Sequence, residues 1–155
     1  MLDISNLSFS YAQKRILQDV SFSLKKGEIV ALIGPSGSGK TTLFKLITGI
    51  IAPIKGSIAI EGKTDFQGQV AHMTQEDLLL PWRTVLSNLM LSFELGTLKS
   101  GHSVEKHKLE ALGLLDEMGL LGWENAFPRQ LSGGMRQRVS LARALLQKKP
   151  ILLLD

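Results

Sequence analysis

The segment Gly34-Pro35-Ser36-Gly37-Ser38-Gly39-Lys40-Thr41-Thr42 follows directly on the apolar run Ile29 to Ile33 and precedes a helical pattern. Two glycines with four residues between them, and Lys-Thr behind the second, complete the phosphate-binding loop pattern. Each residue type has a chemical reason. Glycines let the backbone wrap a polyphosphate so that successive N–H groups point at it. Lys40 is the full positive charge within reach of the outer phosphates, and the Thr41 hydroxyl suits Mg²⁺, which prefers oxygen ligands. The following helix offers its positive N-terminal end to the anion. A strand before the loop and a helix after it are the context the pattern requires.

The rest of the chain reads outward from that loop. Leu2 to Phe9 and Ile16 to Leu24 predict strands joined by a turn at YAQKR, and Val20, Phe22 and Leu24 alternate with Ser21 and Ser23. Ile29 to Ile33 predicts a strand buried on both faces. Leu43, Phe44, Leu46, Ile47 and Ile50 recur at helical spacing, and Gly49 and Pro53 end that helix. Ser57 to Ile60 and Val70 to Met73 read as short strands. Thr84 caps a helix with Val85, Leu89 and Phe93 inward. GTLKSGHS is a polar loop, and Val104 to Met118 is an amphipathic helix. A third helix runs through Leu146 with Met135, Val139, Ala142 and Leu146 on one face. Pro150 breaks it, and Ile151 to Leu154 is a last buried strand that ends on Asp155. Strands first, then strands alternating with helices, predict an α/β core with a parallel sheet.

Composition sets the outer limits. At 155 residues, with 44% hydrophobic and 21% charged, the chain carries enough apolar material for one domain and is no disordered tail. The absence of Cys removes disulfides, thiolate metal sites and a Cys nucleophile. The net charge of +4 gathers toward Arg129 to Lys149, a weak signal for nucleic acid and more often a solvated face. No run reaches the roughly 18 apolar residues of a membrane span. MLDISNLSFS lacks the basic region of a signal peptide, so a cytoplasmic protein is expected, with a membrane protein as a possible neighbour. His72, His102 and His107 have no metal-ligand spacing. Asp116 to Gly119 matches a short DxxG element by chance, inside an amphipathic helix.

A second anion site is readable at Leu131-Ser132-Gly133-Gly134-Met135-Arg136-Gln137, where a hydroxyl and two glycine amides open a helix. An ordinary helix cap is the plain alternative.

Taken together, these motifs resemble the ATP-binding subunits of ABC transporters. GPSGSGKTT is similar to their Walker A loop, LSGGMRQR to their signature motif, and Pro150 to Asp155 to their Walker B strand. Gln75 resembles the Q-loop glutamine that senses Mg²⁺ and contacts the membrane subunit. Tyr11, with Ile16 beside it, stands where the family stacks an aromatic on adenine. The stretch Leu79 to Leu86 is similar to importers of nitrate, sulfonate and taurine.

The resemblance implies a P-loop NTPase core with N-terminal antiparallel strands and an inserted helical subdomain, incomplete at the C-terminus. The helical insertion is expected at roughly 84–130 of a partial domain spanning 1–155. ATP is expected on Tyr11, Ile16, the loop Gly34 to Thr42, and Ser132, Gly133, Gly134 and Gln137. Mg²⁺ is expected on Thr41, Gln75 and Asp155, with Lys40 and Gln75 catalytic. Implied partners are a second copy in a head-to-tail dimer, permease subunits docking near Gln75 to Arg83, and indirectly an extracytoplasmic solute-binding protein, with no nucleic acid. The place implied is the inner face of the cell membrane. Plainer readings remain for single residues: Tyr11 as cover for the core edge, Gln75 as a surface loop residue, Trp82 as a buried anchor, Asp155 as a strand cap. The family places a glutamate after the Walker B aspartate, and a switch histidine later. This chain holds neither, so a longer ATPase is expected, with no turnover by these 155 residues alone. The alternatives are a nucleotide-binding module without hydrolysis and a non-transport ABC ATPase acting on nucleic acid or ribosomes.

Overall fold

The computed structural model describes residues 1–95 and 104–155, so the GTLKSGHS loop with His102 lies outside the described residues. Two compact units divide the chain, Met1–Val70 and Ala71–Asp155.

In the first unit, β1 (Leu2–Tyr11) and β2 (Lys14–Leu24) form an antiparallel hairpin, with Leu2 opposite Leu24 and Tyr11 opposite Lys14. Both strands run two residues further toward the turn than the apolar pattern predicts, leaving only Ala12 and Gln13 between them. β3 (Lys55–Ile60) pairs antiparallel with the other edge of β1 and completes the order β2-β1-β3. Leu2, Ile4, Leu7 and Phe9 of β1 are buried. The two-residue period slips between Ile4 and Leu7, where the register shifts and Asn6 takes φ 50°. A bulge of this kind detaches an amide from the ladder. The Asn6 N–H donates to Ser21 Oγ at 2.8 Å. At the matching irregularity in β2, the Asp19 N–H donates to Ser8 Oγ at 3.0 Å. These serines therefore replace ladder bonds. α1 (Lys40–Ile47) then buries Leu43, Leu46 and Ile47 of the predicted face, while Phe44 is half-buried and Ile50, past the helix end, is exposed.

The strand expected over Ile29 to Ile33 is not formed. Residues 28–35 belong to no ladder, and Ile29 and Ile33 are 98% and 95% exposed rather than buried on both faces. The parallel core sheet is correspondingly not built around the phosphate-binding loop. A strand exists only through its neighbours' backbone groups. A run apolar at every position says that neighbours are wanted without saying which segments provide them.

In the second unit, β4 (Val70–Met73) pairs with β5 (Ile151–Leu154), and the Asp155 N–H donates to Met73 O at 3.0 Å. β5 is half buried, not wholly so: Ile151 and Leu153 face inward, while Leu152 and Leu154 are exposed. The helix expected from Thr84 through Phe93 is two short ones, α2 (Val85–Leu89) and α3 (Leu91–Glu94). Thr84 caps α2 by accepting from Ser87 N. α4 (Val104–Glu117) ends in a left-handed glycine, Gly119, at φ 65°. There Gly119 N donates to Asp116 O and Leu120 N to Leu115 O, while Leu115 and Leu120 are both fully buried. That is a Schellman stop with its apolar contact, so the DxxG match is a helix end. α5 (Gly133–Leu146) closes the unit's core. Val139, Ala142 and Leu146 pack with Val85, Leu89, Ala111 and Leu115, with Met135 at the edge.

Candidate functional site

The first unit carries the phosphate-binding loop. Lys40 folds its side chain back over that loop, and Nζ donates to Gly34 O at 2.7 Å, Pro35 O at 2.9 Å and Ser38 Oγ at 3.4 Å. Ser38 N donates to Pro35 O at 3.2 Å and tightens the turn. Gly34 to Lys40 thus closes a ring around one ammonium group. The residue before α1 is Gly39 at φ 98°, with no side-chain cap and no acidic residue in the first turn. No side chain caps the positive end of this helix, which suits an anion. A side chain at Gly39 would press on Leu17 and Ile16, at 3.0 and 3.1 Å. This packing seats the loop on β2 and brings Ile16 beside it. Pro35, Ser36, Gly37 and Thr41 are exposed, and Thr42 is half-buried. Tyr11, at the end of β1, sets its ring edge-on to Phe9 with centroids 4.9 Å apart and stays 46% exposed.

The second unit carries the other candidates. Ser132, Gly133 and Gly134 are exposed at the start of α5, and Ser132 Oγ accepts from Met135 N at 3.3 Å. The hydroxyl is a helix cap, and the two glycines beside it stay open. Gln75 is exposed beyond β4, and Gln137 Nε2 donates to its carbonyl at 3.0 Å. Gln137 therefore grips the Gln75 main chain, a contact its place in the motif did not predict. Asp155 is exposed at the end of β5. Its negative charge works against the burial that lowers the His72 pKa.

Trp82 is 70% exposed, so it is no buried anchor. Arg83 turns inward to Ser87 and Glu94. The turn that carries Trp82 is pinned by Asn88, which is fully buried. Asn88 Oδ1 accepts from Leu80 N at 2.8 Å, and Nδ2 donates to the carbonyls of Leu80, Arg83 and Thr84 at 3.2, 3.1 and 3.0 Å. The sequence signals Asn88 only as a polar residue on a helix.

The basic cluster after Arg129 is not a plain solvated face. Arg136 and Arg143 reach Asp77 and Leu78, Arg138 donates to Met118 O, and Lys148 pairs with Glu110 at 2.7 Å. That pairing holds the Glu110 carboxyl below its ordinary pKa, chiefly through the hydrogen bond from Lys148. Among the described residues, no helix is long and apolar enough to cross a membrane.

A family model described as ABC transporter matches residues 17–155. The chain belongs to the ABC transporter family. It is 44% identical over 160 residues to the taurine import ATP-binding protein TauB of Yersinia pestis bv. Antiqua (strain Antiqua), covering 100% of this chain and 60% of that protein. It is 43% identical over 155 residues to the aliphatic sulfonates import ATP-binding protein SsuB 1 of Rhodococcus jostii, covering 99% of this chain and 58% of that one. Among solved structures it is similar to an ATP-binding subunit of an ABC transporter, with TM-score 0.87 and 31% identity over 100% of this chain and 65% of the other. It is also similar to the ATP-binding cassette MJ0796, a dimer in a post-hydrolysis state bound to ADP and Pi. That match has TM-score 0.84 and 30% identity over 100% of this chain and 73% of the other. The fold is the α/β fold of ABC ATPases. The chain spans about 60% of the length of these two curated relatives.

Proposed function

We propose that this ABC chain is the nucleotide-handling part of an ATPase subunit that drives a membrane importer, and that the imported solute is taurine, another sulfonate, nitrate or a similar small anion. The observation that carries the reading is the ring from Gly34 to Lys40 at the uncapped start of α1. A lysine ammonium and a row of helix-start amides suit a polyphosphate and little else of comparable size. ATP takes that site, with Tyr11 and Ile16 toward the adenine. Thr41, Gln75 and Asp155 each offer an oxygen suited to Mg²⁺. Ser132, Gly133 and Gly134 stand exposed as the surface that a second copy's nucleotide meets in a head-to-tail dimer. Trp82, exposed on the turn that Asn88 pins, docks a permease subunit at the inner face of the membrane, and an extracytoplasmic solute-binding protein delivers the solute to that permease. The solute follows from the names of the taurine and aliphatic sulfonate relatives.

Uptake in cells lacking this protein tests the reading. Wild type is expected to restore ATP-dependent uptake of labelled taurine, an alkanesulfonate or nitrate, and Lys40→Ala to restore none. Uptake of all three that is indifferent to both proteins would overturn the importer assignment.

A further inference from the structure

Beyond Met73 the chain leaves β4 and crosses to the helical core by way of Gln75, Glu76, Asp77 and Leu78. Among the described residues, the hydrogen bonds that tie this crossing to another element come from α5. Gln137 Nε2 donates to Gln75 O at 3.0 Å. Arg143 Nη2 donates to Asp77 O at 2.8 Å and its Nη1 to Leu78 O at 2.9 Å. Arg136 Nε donates to Asp77 Oδ2 at 2.9 Å. The other oxygen of Asp77 accepts from Leu79 N at 3.1 Å. Arg136 and Arg143 stand seven residues apart, two helical turns, and so share one face of α5.

Leu78 takes φ 44°, the left-handed region that a branched apolar residue avoids. Its side chain is 57% exposed, so apolar burial does not explain the conformation. The torsions of Leu78 lie between the peptide planes that carry the Asp77 and Leu78 carbonyls. In this conformation both oxygens meet one guanidinium, a two-pronged contact that an ammonium cannot reproduce.

We propose that Arg143, Arg136 and Gln137 are positioning residues for Gln75. They fasten Gln75 to Leu78 onto α5 and so fix where the Gln75 side chain starts. Turnover then depends on the clamp while nucleotide affinity does not. This rests on the proposed reading of Gln75 as a catalytic residue.

Steady-state ATPase of the full-length protein tests it, with four variants measured beside wild type. Arg143→Met is expected to lower kcat about tenfold or more while KM for ATP stays within about twofold, the pattern of a group needed for turnover and not for binding. Arg143→Lys keeps the charge without the fork and is expected to recover only part of the loss. Lys148→Met, just past the end of α5 and outside the clamp, is expected to leave kcat unchanged. Gln75→Ala is expected to show the same split as Arg143→Met. Should Arg143→Met fail to fold, Asp77→Asn, which weakens the hold of Arg136, is expected to give the same split. A fall in kcat for Gln75→Ala, with wild-type kcat in Arg143→Met or Asp77→Asn, would overturn the clamp and leave the reading of Gln75 standing. Wild-type kcat in Gln75→Ala would overturn that reading and the clamp with it. Equal losses in Lys148→Met and Arg143→Met, following a drop in melting temperature, would reduce the clamp to a structural contact.

Discussion

The side-chain amide of Asn88 meets four backbone groups of the segment that leads up to its own helix. Truncation would strand Leu80 N and Arg83 O in a site closed to water, since Leu80 O and Thr84 O still accept from Arg83 N and Asn88 N, and each unsatisfied group costs about 1–3 kcal/mol. Partial relaxation brings the sum for Asn88→Ala to about 3 kcal/mol, a fall in melting temperature of roughly 10 °C for a protein of this size class. Thermal melting of the full-length variant checks this, and an unchanged midpoint would mean that the Leu80 to Thr84 turn holds itself. Residues such as Lys40 and Gly39 were legible because their chemistry is local: a glycine that must bend backward and a cation aimed at its own loop lie within a few positions of each other. Asn88 and Arg143 were not. Arg143 meets the Asp77 carbonyl across 66 positions and Arg136 meets its carboxylate across 59. A sequence reading sees those arginines only as charge.

At the scale of elements, α4 and α5 matched their pattern, while the helix that Thr84 caps broke into α2 and α3. α5 starts after Ser132 and buries the Val139, Ala142 and Leu146 face that its spacing marks. α4 stops at the glycine that a helix end favours. Ile29 to Ile33 went the other way, since an apolar run names a need for neighbours and not the neighbours. Ser132 separates structural from functional roles within one element. Ser132→Ala removes the cap on Met135 N and is expected to cost about 1 kcal/mol. Ser132→Arg is expected to leave the affinity of a monomer for MgATP within about twofold and to abolish ATP-dependent dimerisation, because a bulky cation then stands on the open surface beside Gly133 and Gly134. Sedimentation of the full-length protein with and without ATP reads the second effect. Undiminished dimerisation in Ser132→Arg would mean that the signature surface is not the dimer contact.

Over the whole molecule, the family follows from two short motifs that the chain carries 98 residues apart, at Gly34 and Ser132. Each unit presents one of them on an exposed helix start, and the residues between supply α1 to α4, β3, β4 and the Asn88-pinned turn. The central claim is that the loop from Gly34 to Thr42 holds the triphosphate of MgATP and that Lys40 is its chief charge contact. Equilibrium titration of a fluorescent MgATP analogue into the full-length protein and its Lys40→Ala variant tests that claim most directly, with folding of both verified by circular dichroism. Losing two or more hydrogen bonds to a charged group, at about 1.5–3 kcal/mol each, predicts a loss of affinity of about 100-fold or more. Equal affinity in a folded variant would contradict the account.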